Sequence, residues 1–421
     1  MLLWLAIAML LSGSVSAANA LRVLGYSSAW FRPYVEESIP AFEAANPGVK
    51  ISFEVASTGG GLRDRVVTEY AGGVSNDVLL LGSVIDNVWR DVLAQGLTVD
   101  HKPFLERDGQ FSLRDFFPGL VQAFTHRNKL VGIPMESSTT ATYINKALYD
   151  EAGLAYPERD WDWNDMLRAA KILTRVSEDG QVEQWGFATD GYGLGYMGAT
   201  PFLWANGGDV VDPTHSRAAF LEPQALEALE FFVDLHFNHR VSVPPGGGSQ
   251  WTLFWQGKVA IWDSASWNIS YNRQNAQPFV DWDIVYPLLS PRTRKPAPLV
   301  NGHVAAISSS SQQPDLAWEF IKQLFVSDEG QKAIATQGML PTRIAFGRYY
   351  VQNFQPPPEN IEPVLFAATT GRAPVWFDDP QIHNEIWGLI NAEWDAVMQQ
   401  RESVRGFAEK VTPLINLRLQ K

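Results

Sequence analysis

Val49, Ile51, Phe53 and Val55 alternate with Lys50, Ser52 and Glu54, the period of two expected of a strand with one covered face. Just upstream, Val35, Ile39 and Phe42 recur at helical spacing, and Asn46-Pro47-Gly48 supplies the turn between the two elements. Pro40 falls inside that helix and is expected to kink or shorten it. Residues 77–81 form a short apolar run of strand type, and Ile85, Val88, Trp89 and Val92 then share one helical face. Strand, helix, strand, helix at this spacing predicts an α/β protein with a largely parallel sheet covered by helices on both faces.

A second unit starts past Pro134. Asp162 is placed to cap a helix whose apolar stripe is Trp163, Met166, Leu167, Ala170 and Leu173. Pro223 suits a first helical turn, and Leu226, Leu229, Phe232, Val233 and His236 follow it on one stripe. Pro314 opens a helix bearing Ala317, Phe320, Ile321 and Leu324. Ser327 caps the next helix, which Gly338 ends. The chain is expected to close with one long amphipathic helix carrying Ile382, Ile386, Leu389 and Val397. No internal repeat is present, and Pro356-Pro357-Pro358 reads as a rigid loop.

With 421 residues the chain is too long for one ordinary core, and two domains are expected. A formal charge of −13 argues against nucleic acid as a partner, since phosphate binding needs a basic surface. The one dense basic cluster, Arg292, Arg294 and Lys295, is broken by Pro291 and Pro296 and reads as a solvated loop. There are no cysteines, which removes disulfides, thiol nucleophiles and thiolate metal sites together. The 16 tryptophans exceed what a core of this size needs, and some are expected to offer flat surfaces for the apolar faces of sugar rings.

Residues 1–20 read as a secretory signal. The apolar run over residues 2–11 is too short to span a bilayer and is followed by small residues, with cleavage expected after Ala17, Ala18 or Ala20. The segment ahead of it holds no Lys or Arg. Leu11-Ser12-Gly13-Ser14 has Ser where a lipidated Cys would stand, so a soluble, released periplasmic protein is expected.

Enzymatic signatures are weak. Asp378-Asp379 and Glu36-Glu37 are adjacent carboxylates that face apart, and no spacing singles out a general acid and a nucleophile. His236-x-x-His239 reads as a surface helix terminus in preference to a zinc pair. No Gly-x-Ser-x-Gly elbow occurs. Gly193-x-Gly195-x-x-Gly198 has dinucleotide-binding spacing, but it runs into Pro201 and not into a glycine-led helix, so that reading is rejected.

Residues 129–154, KLVGIPMESSTTATYINKALYDEAGL, followed by WDWNDMLRAAKIL, resemble the inter-lobe crossing of the extracytoplasmic solute-binding proteins of ABC importers, in the large class that carries sugars. Further segments in order are similar to that family. AFEAANPGVKISFEV resembles its helix, turn and second strand, and SNDVLLL its third strand. WGFATD with PFLWANGGDVVDP resembles the strand and Gly-Gly-Asp turn of its second lobe. FWQGKVAIWDSASWNIS is similar to its Gly-Lys-x-Ala-Met segment, with Ile261 for Met. LAWEFIKQLFVSDEGQKAIATQGMLPT resembles its paired helices ending in Gly-x-Leu-Pro. The likeness covers nearly all of the chain past the signal, at family level.

The resemblance implies a two-lobed periplasmic binding protein fold of α/β class, type II-like, with three crossings, near Glu136, residues 286–288 and residues 344–348. It places residues 21–136 and 287–345 in one lobe and residues 137–286 and 346–421 in the other. It further implies capture of a small carbohydrate or polyol between the lobes, delivery to the transmembrane permease subunits of an ABC transporter, no cofactor, no metal, and a monomer. Candidate ligand contacts are Trp30 after the first strand, Thr58 before Gly59-Gly60-Gly61, Ser83 after the third strand, and Ser137 and Ser138 at the crossing. Tyr192 in an aromatic loop, Asp263, Trp267 as a stacking ring, Asn301 and Gly302 at the return crossing, and Trp376 in a late loop complete the set. His383 stands where a glycerol 3-phosphate-binding subgroup places an Arg, which favours a neutral ligand over a phosphorylated one. A binder of glycerol 3-phosphate or its diesters, and a secreted carbohydrate-active enzyme, are the alternatives.

Overall fold

The computed structural model describes residues 20–26, 31–74, 76–83, 92, 95–194, 197–374 and 380–420. The chain opens with β1 (Ala20–Tyr26), a helix Phe31–Ala45, β2 (Lys50–Ala56), a helix Gly59–Ala71 and β3 (Val78–Leu81). The alternation over residues 49–55 is realised: Lys50, Ser52 and Glu54 are exposed, and Ile51, Phe53 and Val55 turn inward. Pro40 is carried inside its helix, whose buried face is Phe31, Tyr34, Val35 and Phe42. Of the expected helical face after the third strand, Val92 is buried; Ile85, Val88 and Trp89 lie outside the described residues.

A small ribbon, β4 (Thr125–His126) with β5 (Lys129–Leu130), precedes β6 (Ile133–Pro134). Then β7 (Ser138–Asn145) is buried along its whole length. The chain continues through β8 (Arg175–Val176), β9 (Val182–Thr189), β10 (Val259–Ala265), β11 (Trp282–Val285), β12 (Val300–Asn301) and β13 (Val304–Ile307). Among the described residues these form a five-stranded sheet in the order β2-β1-β3-β13-β6 and a second sheet in the order β11-β7-β10-β9-β8, with β12 also on β7.

The sheets are mixed, which corrects the expectation of a largely parallel sheet. β1 runs parallel to β2 and β3, and β10 parallel to β9, but β13 joins both β3 and β6 antiparallel, and β7 is antiparallel to β10 and β11. The antiparallel members include the strands entering and leaving through the passages between sheets. Their direction is set by the crossings and not by a βαβ unit.

Helix ends follow the local chemistry. Asp162 accepts from the amides of Asn164 and Asp165, and Asp165 bonds back to the Asp162 amide, a reciprocal cap on the helix Trp163–Leu173. That helix buries Trp163, Met166, Ala170 and Leu173 against β9. There Gly186 is required, because a side chain at that position would collide with the Ala170 carbonyl. Ser327 caps Asp328–Thr336 through the Gly330 amide, and Pro223 and Pro314 stand in the first turns of Pro223–His236 and Pro314–Ile321. The Arg292–Lys295 loop is pinned as well as solvated: Arg292 pairs with Glu227 and Arg294 with Asp162, both at 2.6 Å. The chain does not close with the helix Pro380–Met398; a further helix, Val404–Leu419, packs on it and buries Phe407, Val411 and Ile415.

Two passages between the sheets lie side by side. The chain leaves the first sheet at Pro134, passes Met135, Glu136 and Ser137, and enters the second at Ser138; it returns from Asn301 through Gly302 and His303 to Val304. Residues 289–301 stay against the second sheet, through Trp163 N–H to the Leu289 carbonyl and Thr140 N–H to the Leu299 carbonyl. The return therefore comes later than the expected 286–288. The Met135 amide donates to the His303 carbonyl at 2.9 Å, tying the passages together. A third stretch touches them where the Ser137 amide donates to the Leu340 carbonyl.

Candidate ligand-binding site

Parallel pairing aligns the carboxyl ends of β1, β2 and β3 on one edge of the first sheet, and those of β9 and β10 on one edge of the second. Asp190 follows β9 directly, and Trp267 follows β10 as the residue before the helix Asn268–Asn275. Between them is an open hollow of about 520 Å³ lined by Asp190, Gly191, Gly193, Met197, Gln250, Trp251, Trp267 and Asn391.

Asp190 organises its base. One carboxylate oxygen accepts from the indole N–H of Trp251 at 2.8 Å and of Trp262 at 3.0 Å. The other accepts from the Ser264 hydroxyl and from Asn268 Nδ2 at 3.2 Å. Burial pushes the Asp190 carboxyl up to about 6 against the pull of these donors. Trp251 meets Trp255, Trp262 and Tyr271 with ring centroids 5.5–6.1 Å apart, so one wall is aromatic and held rigidly. An aromatic wall, a half-buried Trp267 and the polar ends of Gln250 and Asn391 suit a molecule with an apolar face and hydroxyl edges.

Trp267 is in this hollow. Tyr192 stands beside it, its hydroxyl accepting from Gln250 and donating to the Pro244 carbonyl at 3.0 Å, and its ring edge-on to His236. Asp263 is buried in β10 and accepts from the Thr142 hydroxyl at 2.9 Å; burial pushes its carboxyl up to about 7. It does not cap the helix after it, and it lines a separate small internal space with Thr140, Thr142 and Phe202.

Ser137, Ser138, Asn301 and Gly302 come together at the paired passages, with Ser138 opposite Asn301. A side chain at Gly302 would collide with the Glu136 carbonyl. Thr58 is exposed past β2, where its hydroxyl caps the helix Gly59–Ala71 by accepting from the Gly61 amide at 3.0 Å. The three glycines thus begin a helix and are not a free loop. Ser83 is buried just past β3. Trp30 and Trp376 lie outside the described residues.

His236 is not on a surface terminus: it is buried, its Nδ1 lies 3.0 Å from the Val243 carbonyl, and burial lowers its pKa to about 4. Among the described residues no group of His, Asp and Glu is arranged to hold a metal ion. His383 is buried beside Trp387. Asp190, Met197, Gln250, Trp251 and Asn391 were not singled out by the sequence. The available signal for Asp190 was its place at the end of the apolar strand in WGFATD.

The family model for bacterial extracellular solute-binding proteins matches residues 26–332. A binding protein of Brucella abortus is 26% identical over 357 residues, 82% of this chain and 81% of the relative. A mannitol-binding protein of Pseudomonas aeruginosa is 27% identical over 289 residues, 66% of this chain and 63% of the relative. Among solved structures, an ABC substrate-binding protein of Listeria monocytogenes in complex with cycloalternan superposes with a TM-score of 0.78 at 21% identity, covering 96% of this chain and 99% of the other. The sugar-binding protein MalE of Xanthomonas citri gives 0.79 at 18%, covering 96% and 98%. The two mixed sheets are those of the periplasmic binding protein fold, and no helix among the described residues is long and apolar enough to cross a membrane. With the family model matching most of its length and the fold shared across nearly the whole chain, the chain belongs to the bacterial extracellular solute-binding protein family, whose members bind without catalysis.

Proposed function

We propose that this protein captures a neutral sugar or polyol between two lobes, one built on each sheet, and delivers it to the transmembrane subunits of an ABC importer. The observation that carries the reading is the hollow whose aromatic wall is fixed by Asp190 and whose rim includes Trp267. The mannitol-binding and cycloalternan-bound relatives support the same ligand class. Aromatic surface supplies affinity for the apolar face of a ring or chain, and amides and carboxylates orient hydroxyls. Contacts from both lobes favour the closed arrangement, and that differential affinity drives closure at the passages. The protein acts as a monomer in the periplasm.

A thermal-shift screen over monosaccharides, disaccharides, polyols and sn-glycerol 3-phosphate tests this. A ligand present at 100 times its dissociation constant adds about 2.7 kcal/mol to stability, a clear shift. A response to a neutral polyhydroxy compound is expected; a response to the phosphate alone would replace the reading with its charged alternative.

A further inference from the structure

The first passage carries one residue more than its partner. Pro134 pairs with Val304 and Ser138 with Asn301, so Met135, Glu136 and Ser137 face only Gly302 and His303. An extra residue in one strand bends it and re-aims a side chain, and the residue at the centre of this bulge is Glu136.

Glu136 is 1% exposed, and its two oxygens are treated unequally. Oε1 accepts from the His303 amide at 3.1 Å and from His303 Nδ1 at 2.5 Å, which fixes the carboxylate and places the ring proton on Nδ1. Oε2 is buried with no hydrogen-bond partner, and so is Oδ1 of Asn301 in the adjoining passage. His303 is in turn held edge-on to Phe31, the first residue of the helix that follows β1. A carboxylate can only accept, and leaving a buried charged oxygen bare is expensive, so such atoms need a donor from outside the chain.

We propose that Glu136 Oε2 and Asn301 Oδ1 are specificity-determining acceptors for two hydroxyl groups of the ligand, and that Glu136 excludes phosphorylated and carboxylated solutes. This rests on the proposed function and narrows it to neutral, hydroxyl-donating ligands. An anionic oxygen at the passages accepts strong charge-assisted bonds from hydroxyls and repels an anion. Because the acceptors sit on the paired passages, a ligand held there contacts the segments that bend on closure. His303 is a positioning residue: it aims the free oxygen.

The test is isothermal titration of the wild type, Glu136→Gln and Asn301→Ala with D-mannitol, D-tagatose, maltose and sn-glycerol 3-phosphate, together with the melting temperature of each unliganded protein. Glu136→Gln keeps shape and the acceptor for His303 but turns the free oxygen into a donor. The expected result is wild-type binding of a neutral probe, weakened at least tenfold by Glu136→Gln, with an unliganded melting temperature unchanged or raised because a buried charge is gone. Asn301→Ala is expected to weaken the same probe. It decides the question if Glu136→Gln fails to fold. Neutral-probe binding within twofold of wild type in both variants would overturn the inference and leave the proposed function standing. Tighter wild-type binding of sn-glycerol 3-phosphate than of any neutral probe, or binding of none of the four, would overturn both.

Discussion

The indole N–H of Trp251 donates to the carboxylate of Asp190 at 2.8 Å, joining the end of β9 to the helix Gln250–Trp255 across 61 positions of sequence. This bond turns a rotatable aromatic side chain into a fixed wall. Trp262 approaches the same oxygen from β10, so the wall is anchored to two neighbouring strands at once.

Asp190→Asn tests that anchoring. The amide nitrogen would face the donors Ser264 and Asn268, where the carboxylate accepts from both. Folding stability is expected to fall by about 1–3 kcal/mol, the range for an unsatisfied buried polar group, and ligand affinity to fall as the wall loosens. Titration together with near-ultraviolet circular dichroism of the tryptophans checks it; unchanged spectra and affinity would contradict the role.

Trp267→Ala is expected to weaken ligand binding by about 1–3 kcal/mol, about 5- to 150-fold, while the fold survives, because the ring is half-buried at the rim of the hollow. If the ring were instead a core element, denaturation would show a loss of about 3–5 kcal/mol. Titration and urea unfolding on the one variant separate the two.

Much of this arrangement was legible in the chain, and the limits have physical causes. Caps at Asp162 and Ser327, proline starts at Pro223 and Pro314, and the alternation over residues 49–55 are local signals, and they hold. The antiparallel members of both sheets depend on pairing between distant segments, which no local period reports. The final helix Val404–Leu419 contains Gly406 and Pro413, residues that interrupt the helical pattern, and tertiary packing on the preceding helix overrides them. The Asp190 network assembles residues 190, 251, 262, 264 and 268 through strand order and not through spacing. Conversely, His236 had the pattern of a surface terminus and is buried because the chain after it folds back to offer the Val243 carbonyl.

Asp263 gives a stability prediction with a definite sign. Its carboxyl is raised from the usual 3.8 to about 7, chiefly by burial, with the charge of Asp190 adding to it and Thr142 opposing. The folded protein therefore holds this proton more tightly than the unfolded chain. The stability so gained is whole below about pH 3.8 and lost as pH rises through about 7. Asp263→Asn, which can still accept from Thr142, is expected to exceed the wild type in stability by a few kcal/mol (order of magnitude) at pH 8, with the gap closing toward pH 4. Urea unfolding at both pH values checks it.

His101 runs the other way. It is fully buried, its Nε2 accepts from the Ile307 amide at 2.8 Å, and burial lowers its pKa from 6.5 to about 4. The stability it provides is present above pH 6.5 and lost as pH falls through about 4, because protonation removes the acceptor. His101→Ala is expected to cost about 1–3 kcal/mol for the Ile307 N–H left bare, the Leu130 carbonyl keeping the amide of residue 101, and to flatten the acid limb of the stability profile.

The most direct test of capture between closing lobes is small-angle X-ray scattering of the protein with and without a saturating neutral sugar or polyol chosen by the thermal-shift screen, followed by recovery and chemical identification of the ligand. The expected result is a smaller radius of gyration in the bound state and a ligand recovered unaltered. An unchanged radius at proven saturation, or conversion of the ligand to product in proportion to protein, would contradict the account.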